Sequence, residues 1–476
     1  MRRRRATLFG VVLATLGGCF GFSTKAEAQE QPWLRDRRYT DGTGVQVGDF
    51  VFHPGIAAEL GYDSNILLRS GSENERRVQA LRLAITPHLQ FNNQLPAAEG
   101  PAANGTLRRP TYNFGGNVAL SYNEFFKLSS GGEDLPRHRN LGILASLRFV
   151  LAPYGKLGAE AHGDLVRTIQ PSNLGDPTFT FNRTTPRVGA SVIWRPGGGL
   201  FEWHVIGYDF AYTYFEDNPF NNLSNSQHLV STRGSWRFRP RTALVFDSSL
   251  GMLRYRDETD RPSGDFVRAR VGLNGLVTNN FGFTLMGGWG STFFESKGGP
   301  VEDFDSFIGQ AEARFYLSNP PRVAGGDDAA PNRGGLYPST IALGYTRDFS
   351  QSYISNFYQR DRGYVTLSYF LNGQILGALT GGVARNSFPP SYFAPGGEQR
   401  TDAFTATSFD LTPFLEYRPV RNVGLNLTGS YQRFDNDVRL PGLAPNEVNA
   451  ANGGAQTIDE LWWERVQVIL GARYLR

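Results

Sequence analysis

Nine arginines recur at alternating positions of strand-like segments: Arg82, Arg148, Arg233, Arg237, Arg268, Arg270, Arg314, Arg465 and Arg473. Each stands opposite an apolar neighbour by parity. A guanidinium is permanently charged and presents five donors. The chemistry such a set offers is the attraction and steering of anions, not bond cleavage. Glu312, Asp410 and Glu416 share the same faces. Two readings follow. One is a hydrated wall carrying cross-strand ion pairs. The other is a path favouring anionic solutes or polymer, with Arg233 and Arg237 on one segment and Arg268 and Arg270 on another as its best candidates.

Catalytic chemistry has little support. His88 is isolated, and His138, His162, His204 and His228 lack the spacing of a metal cage. No serine occupies a nucleophile elbow, although a Ser and a His on adjacent strands would escape such a search. Asp257, Glu258 and Asp260 form a short acidic cluster in a connection. Its default reading is a solvated turn, and divalent ions or lipopolysaccharide are its other candidate contacts. The expectation is a chain that is not an enzyme and holds no cofactor or metal.

The N-terminus is an address. Arg2 to Arg5 precede an apolar run from Ala6 to Phe22, and Ala26-Glu27-Ala28 offers small residues for cleavage. This is the pattern of a secretory signal over residues 1–28. An uncleaved anchor and acylation at Cys19, after Leu16-Gly17-Gly18, are the alternatives. The formal charge of +4 is largely a property of this leader, which carries Arg2 to Arg5 and Lys25 against Glu27. The remainder is near neutral and gives no reason to expect nucleic-acid binding. Cys19 is the single cysteine, so a disulfide scaffold and a thiol enzyme are both unsupported.

Beyond residue 28 no stretch of apolar residues is long enough for a spanning helix. The chain has 56 Gly, 35 Phe and 20 Tyr, and its strands alternate. Leu81, Leu83, Ile85, Pro87, Leu89 and Phe91 share one face; Ala80, Arg82, Ala84, Thr86, His88 and Gln90 share the other. The segments 141–151, 267–274 and 462–474 repeat the pattern. Lipid on one side and water on the other satisfies such strands, and a closed barrel pairs every backbone group. The expected fold is all-β: a transmembrane antiparallel barrel of about eighteen strands over residues 51–476, with sixteen as the alternative count, preceded by a flexible segment at 29–50. Trp194, Trp203, Trp236, Phe238, Tyr417, Trp462, Trp463 and Tyr474 are read as interfacial girdles.

Connections alternate in length. Ala152 to Lys156, Arg195 to Gly198, Arg239 to Arg241, Thr278 to Asn280, Leu371 to Gly373 and Arg418 to Arg421 read as tight turns. Longer polar connections lie between them. Two exceptions on the short-turn side, 92–110 and 318–337, are rich in Pro, Ala and Gly. Short turns facing the periplasm would put both termini there. Ile85-Thr86-Pro87 also echoes Leu411-Thr412-Pro413, with both prolines expected near strand ends.

The opening Gly61-Tyr62-Asp63-Ser64-Asn65 and the Thr86-Pro87 strand resemble beta-barrel porin families of Gram-negative bacteria, including barrels linked to exopolysaccharide export. The resemblance implies a cell outer membrane location, with lipid, lipopolysaccharide and the barrel-assembly machinery as partners. It also implies contact with polysaccharide and a periplasmic export protein. The end, Tyr474-Leu475-Arg476, departs from the aromatic terminus usual in such barrels. Export of surface polysaccharide is the leading expectation. A general diffusion porin for small polar or anionic solutes and a non-conducting structural barrel are the alternatives.

Overall fold

The computed structural model describes residues 44–66, 68, 77–93, 111–128, 140–168, 182–196, 200–216, 223–256, 262–295, 301–317, 339–352, 355–371, 374–392, 399–420, 422–436, 439–441, 458–460 and 462–476. The signal at 1–28, Cys19, most of 29–50, the Asp257–Glu258–Asp260 cluster and the Pro-rich stretches within 92–110 and 318–337 lie outside them.

Eighteen long strands form one closed wall. They are β1 (Phe50–Asp63), β2 (Ala80–Asn92), β3 (Tyr112–Lys127), β4 (Asn140–Leu151), β5 (Leu157–Thr168) and β6 (Arg183–Trp194). Next come β7 (Phe201–Phe215), β8 (Asn225–Arg239), β9 (Thr242–Tyr255), β10 (Gly264–Leu276), β11 (Phe281–Phe294) and β12 (Asp305–Tyr316). The last six are β13 (Thr340–Gln351), β14 (Phe357–Leu371), β15 (Ile375–Phe388), β16 (Phe404–Val420), β17 (Val423–Asp435) and β18 (Trp463–Leu475). Each strand pairs antiparallel with the next. The sheet closes where β18 pairs with β1, from Gly55 opposite Leu475 to Asp63 opposite Gln467. A short strand, Val45–Val47, folds back on Phe50–Phe52 through a turn in which Gly48 takes φ +60°. Glycine adopts that conformation without a Cβ penalty.

The alternation of the sequence becomes an inside-out protein. On β1, Ile56 and Leu60 are half exposed, whereas Glu59 and Asp63 are about 5% exposed. On β18, Val466, Val468, Leu470 and Tyr474 face outward, while Arg465 and Arg473 are buried. Water-soluble sheets bury the apolar set. Here it is the outer surface, as required of a wall set in lipid.

That outer surface is sorted by height. At the short-turn end it carries rings in contact: Phe50, Phe52, Phe91, Phe114 and Phe149 form a run of neighbours, as do Trp194, Phe201 and Trp203. Aliphatic residues fill the middle. The outward charges of the described strands, Glu124, Arg167, Arg254, Asp265, Asp305, Arg347, Asp361, Arg385, Arg433, Asp435 and Glu464, all lie near the opposite end. The spacing repeats from strand to strand: ten residues separate Phe114 from Glu124, Phe315 from Asp305, Ile375 from Arg385 and Tyr474 from Glu464. At ~3.3 Å per residue and a tilt of about 40°, ten residues rise roughly 25 Å, the height of a barrel's apolar band.

The charged belt is largely self-paired. Arg167 donates to Glu216 at 2.8 and 2.6 Å, and Thr184 donates to the same carboxylate at 2.7 Å. Bonding to Arg167 holds the Glu216 carboxyl below the usual carboxylate range, although partial burial pulls the other way.

Two expectations are corrected. Trp463 is not part of a girdle: it points inward, 2% exposed, and stacks on Phe434 with ring centroids 6.4 Å apart. The Thr-Pro prolines lie inside their strands, not near the ends. Each opens a gap in one ladder, where β2 loses registered pairing to β3 between Ile85 and His88 and β16 loses it to β17 between Leu411 and Phe414. Proline has no N–H to donate there. A third copy, Thr185-Pro186, opens the same gap between β6 and β7. Side-chain hydroxyls bridge two of the gaps, Thr86 to Ser121 at 2.8 Å and Thr185 to Thr213 at 3.4 Å.

The inside-out sorting makes opposite demands on the two faces. Leu470→Arg, on the outer face between Glu464 and Tyr474, should destabilise the barrel by about 2–4 kcal/mol. Ser231→Arg, on the inner face of β8, should cost close to nothing. Urea unfolding of the two variants in lipid bilayers, followed by tryptophan fluorescence, measures the difference.

Candidate lumen wall

All nine arginines singled out above stand on the inner parity of their strands, and strand register determines what each one meets. Arg82 donates to Glu59 across β1 and β2 at 3.1 Å. Arg465 donates to Asp63 across the closing seam at 3.0 and 3.1 Å through Nε, and Gln467 adds a bond of 2.9 Å to the same carboxylate. Arg473 and Arg418 both bond Glu416, which is fully buried. Arg270 donates to Asp247 at 3.0 and 3.1 Å. Arg268 bonds Asp348 at 3.2 Å and the Phe349 carbonyl at 2.6 Å, and its guanidinium lies 4.0 Å from the Phe349 ring centroid. Gly290, the residue opposite Arg268, leaves the room: a Cβ there would come within 2.5 Å of the Phe349 ring. Arg314 bonds Glu312 at 2.5 Å, and Tyr364 donates to the other oxygen of that carboxylate at 2.8 Å.

The wall from β4 to β8 differs in its exposure. The Arg148 side chain, held by Glu160 at 2.9 and 3.0 Å, is still 65% exposed. Arg187 and His162 converge on Asp209, at 3.0 and 2.7 Å. Arg195 donates to Glu202 at 2.9 Å, with His204 at 3.5 Å from its other oxygen. Asp164 stands opposite Arg187 in register. Arg233 and Arg237, both partly exposed, make no side-chain hydrogen bond or salt bridge among the described residues. Arg233 stands opposite both His204 and Asp247, and acts on Glu160 through space. Asp247 is committed to Arg270, and Glu160 to Arg148.

The structure brings the nine arginines into one lumen but divides them. Arg82, Arg270, Arg465 and Arg473 are buried in ion pairs, and Arg268 is tied to Asp348. Arg148, Arg233 and Arg237 meet solvent along one side of the lumen, and Arg314 does so on β12. Arg187, Arg195 and Arg362 are further inward bases that the sequence reading passed over. Alternation marks Arg187, between Pro186 and Val188; Arg362 lies between Asp361 and Gly363, where parity has little contrast.

The end of the lumen beneath the long connections is lined by apolar clusters. Tyr358, Phe388, Ala406, Phe434 and Trp463 form one, and Phe266, Phe304, Ile308, Phe349 and Phe357 another. They lie on the side from β10 to β18, opposite the β4–β8 wall. Ser191 Oγ lies 3.2 Å from His204 Nδ1 on adjacent strands, the arrangement a hydrolase would share. Here His204 and Arg195 divide Glu202 between them, which makes the group part of the paired wall. Among the described residues, no group of three or more His, Cys, Asp or Glu could hold a metal.

No family model and no curated protein sequence matches the chain. Solved structures similar to it include the outer membrane protein OpdK of Pseudomonas aeruginosa, at 11% identity and a TM-score of 0.41, covering 89% of this chain and 99% of that one. OccAB4 of Acinetobacter baumannii gives 9% identity and a TM-score of 0.42, with 91% and 99% covered. The outer membrane channel DcaP of Acinetobacter baumannii gives 11% and 0.36, with 91% and 99% covered.

The seam pair ties the first strand to the last. Asp63→Ala takes that carboxylate from the buried Arg465 and should destabilise the barrel by about 3–5 kcal/mol. Asp63→Ala combined with Arg465→Met removes the buried charge as well and should recover most of that loss. Heat-modifiable mobility on gels, read as the temperature at which the folded band disappears, checks both variants.

Proposed function

We propose that the protein is a passive diffusion channel of the Gram-negative outer membrane, admitting small polar solutes and favouring anions. One observation carries this reading. Along β4–β8 the inward arginines Arg148, Arg187, Arg195, Arg233 and Arg237 face Glu160, Asp164, Glu202 and Asp209; Arg148, although bonded to Glu160, stays exposed, and Arg233 and Arg237 make no ion pair among the described residues. The field such a wall presents to a passing solute is positive, and a low-dielectric surround focuses it. Transport needs no cofactor: the closed sheet excludes lipid, and the polar wall supplies water and charge in its place. The short connections and both described chain ends lie at one end, which in this reading faces the periplasm.

Export of surface polysaccharide, the expectation drawn from sequence resemblance, ranks second. The wall's specific feature is a set of point charges suited to small anions, and the aromatics of the two clusters at its mouth are buried against one another.

The triple variant Arg148→Gln, Arg233→Gln, Arg237→Gln tests the proposal in proteoliposomes. Uptake of a small monovalent carboxylate should fall severalfold relative to a neutral solute of the same size, and neutral uptake should be unchanged. Equal loss of both, or loss of neither, contradicts anion preference. The paired control Arg268→Gln should shift the ratio less, because Arg268 is already neutralised by Asp348. In a deletion strain, surface polymer should stay normal; its loss, restored by the intact gene, would put export first.

A further inference from the structure

The outward charged belt contains one arginine that its own neighbours leave unmatched. Arg385 sits on the outer face of β15, ten residues above Ile375, and is exposed. It makes no side-chain hydrogen bond or salt bridge among the described residues. Its row across the sheet is fixed by register: Arg347 opposite Asp361, Asp361 opposite Arg385, Arg385 opposite Thr407, and Thr407 opposite Asp435. Two carboxylates therefore lie in this row, and both are engaged elsewhere. Asp361 accepts from Tyr345 at 2.6 Å, from Gln359 at 2.7 Å and from Arg347 at 3.4 Å. Asp435 accepts from Arg433 at 2.6 Å.

An arginine on the lipid-facing side of a barrel is costly near the midplane and costs little at the interface, where anionic headgroups supply the counter-charge. Arg385 is at that interface by height. Directly below it the outer face becomes apolar, with Val383 50% exposed and the rings of Phe409 and Tyr431 packed at 5.5 Å. Thr405 and Thr407 are exposed on β16, with Thr407 opposite Arg385, and Arg433, bonded to Asp435 and opposite Glu464, lies two strands away. The arrangement is a cationic and hydroxyl-bearing ledge above an apolar face. It matches an amphiphile with a phosphorylated sugar head and acyl chains below it. A guanidinium binds phosphate by paired, charge-assisted hydrogen bonds.

We propose that the outer face of β15–β17 binds lipopolysaccharide, with Arg385 as the principal phosphate ligand and Thr407 and Arg433 flanking it. This rests on the orientation that places the long connections outside the cell, and it is independent of whether the lumen conducts.

Native mass spectrometry of the full-length protein purified from outer membranes, with lipopolysaccharide added in known amounts, tests the proposal. Wild type should retain one lipopolysaccharide molecule, and Arg385→Glu should weaken retention about tenfold, the scale of losing a charge-assisted bond. Arg385→Lys should recover part of it, and the lumen variant Arg148→Gln should bind as wild type. Removing the lipid's phosphates enzymatically should weaken wild-type binding as much as Arg385→Glu does. Equal retention by wild type and a folded Arg385→Glu barrel, shown by its unchanged heat-modifiable band, would overturn the proposal. So would phosphatidylglycerol competing equally well with the same dependence on Arg385, since the ledge would then read any phosphate headgroup. Failure of the anion-uptake experiment would leave this result untouched.

Discussion

Everything in this fold depends on the antiparallel pairing of β18 with β1. A sheet of eighteen strands left open would expose two edges of unpaired N–H and C=O groups, and lipid has nothing to offer them. The seam removes both edges at once. It is also reinforced where it could slip: Asp63, at the top of β1, is gripped by Arg465 and Gln467 of β18, residues about four hundred positions away in the chain. A buried ion pair is weak evidence for net stability, but its cost if mispaired is high. Placed at the joint between the first and last strands, it penalises every register but one.

Closure then makes the two faces unlike. The outer face meets lipid and can carry charge only where headgroups begin, which explains why outward charges gather near one end of the strands, among outward rings such as Phe126, Phe293 and Phe307, while rings alone band the short-turn end. The inner face meets water and other side chains. Between β16 and β2 the inward charges are packed into buried pairs such as Arg82 with Glu59 and Arg473 with Glu416. Between β4 and β8 Arg148, Arg233 and Arg237 meet solvent. Apolar clusters under the long connections occupy the β10–β18 side, and Arg233 and Arg237, with no ionic partner among the described residues, fall on the opposite wall. The functional reading follows from that coincidence of exposure with unmatched charge.

Much of the fold was legible in the sequence because a period of two is a local property. Leu81 to Phe91 announces which residues face lipid without any knowledge of its neighbours, and the parity of all nine arginines could be read the same way. Tertiary register was not legible. Nothing near Arg270 marks Asp247 as its partner, and nothing near Arg233 shows that its opposite carboxylate is already taken. Arg268 and Arg233 look alike in sequence and differ in the partner that the fold supplies: Asp348, three strands away on β13, for Arg268, and none among the described residues for Arg233. Trp463 was misplaced for a related reason: adjacent to Trp462, it has the composition of a girdle residue, but parity turns it inward onto Phe434. Thr-Pro inside a strand is a further case, since proline usually marks a strand end, and only the hydroxyl pairs Thr86–Ser121 and Thr185–Thr213 show how an interrupted ladder is tolerated.

The central claim is that a closed, inverted barrel carries an inner wall, from β4 to β8, on which arginines outnumber carboxylates and the accessible charge is positive on balance. The most direct test is the zero-current potential of the purified wild-type protein in a planar bilayer under a potassium chloride gradient. The account predicts stable conductance with a potential of the sign set by faster chloride movement, diminishing as ionic strength rises and screens the wall. A conducting barrel that selects potassium, or a folded barrel that passes no current, would contradict it.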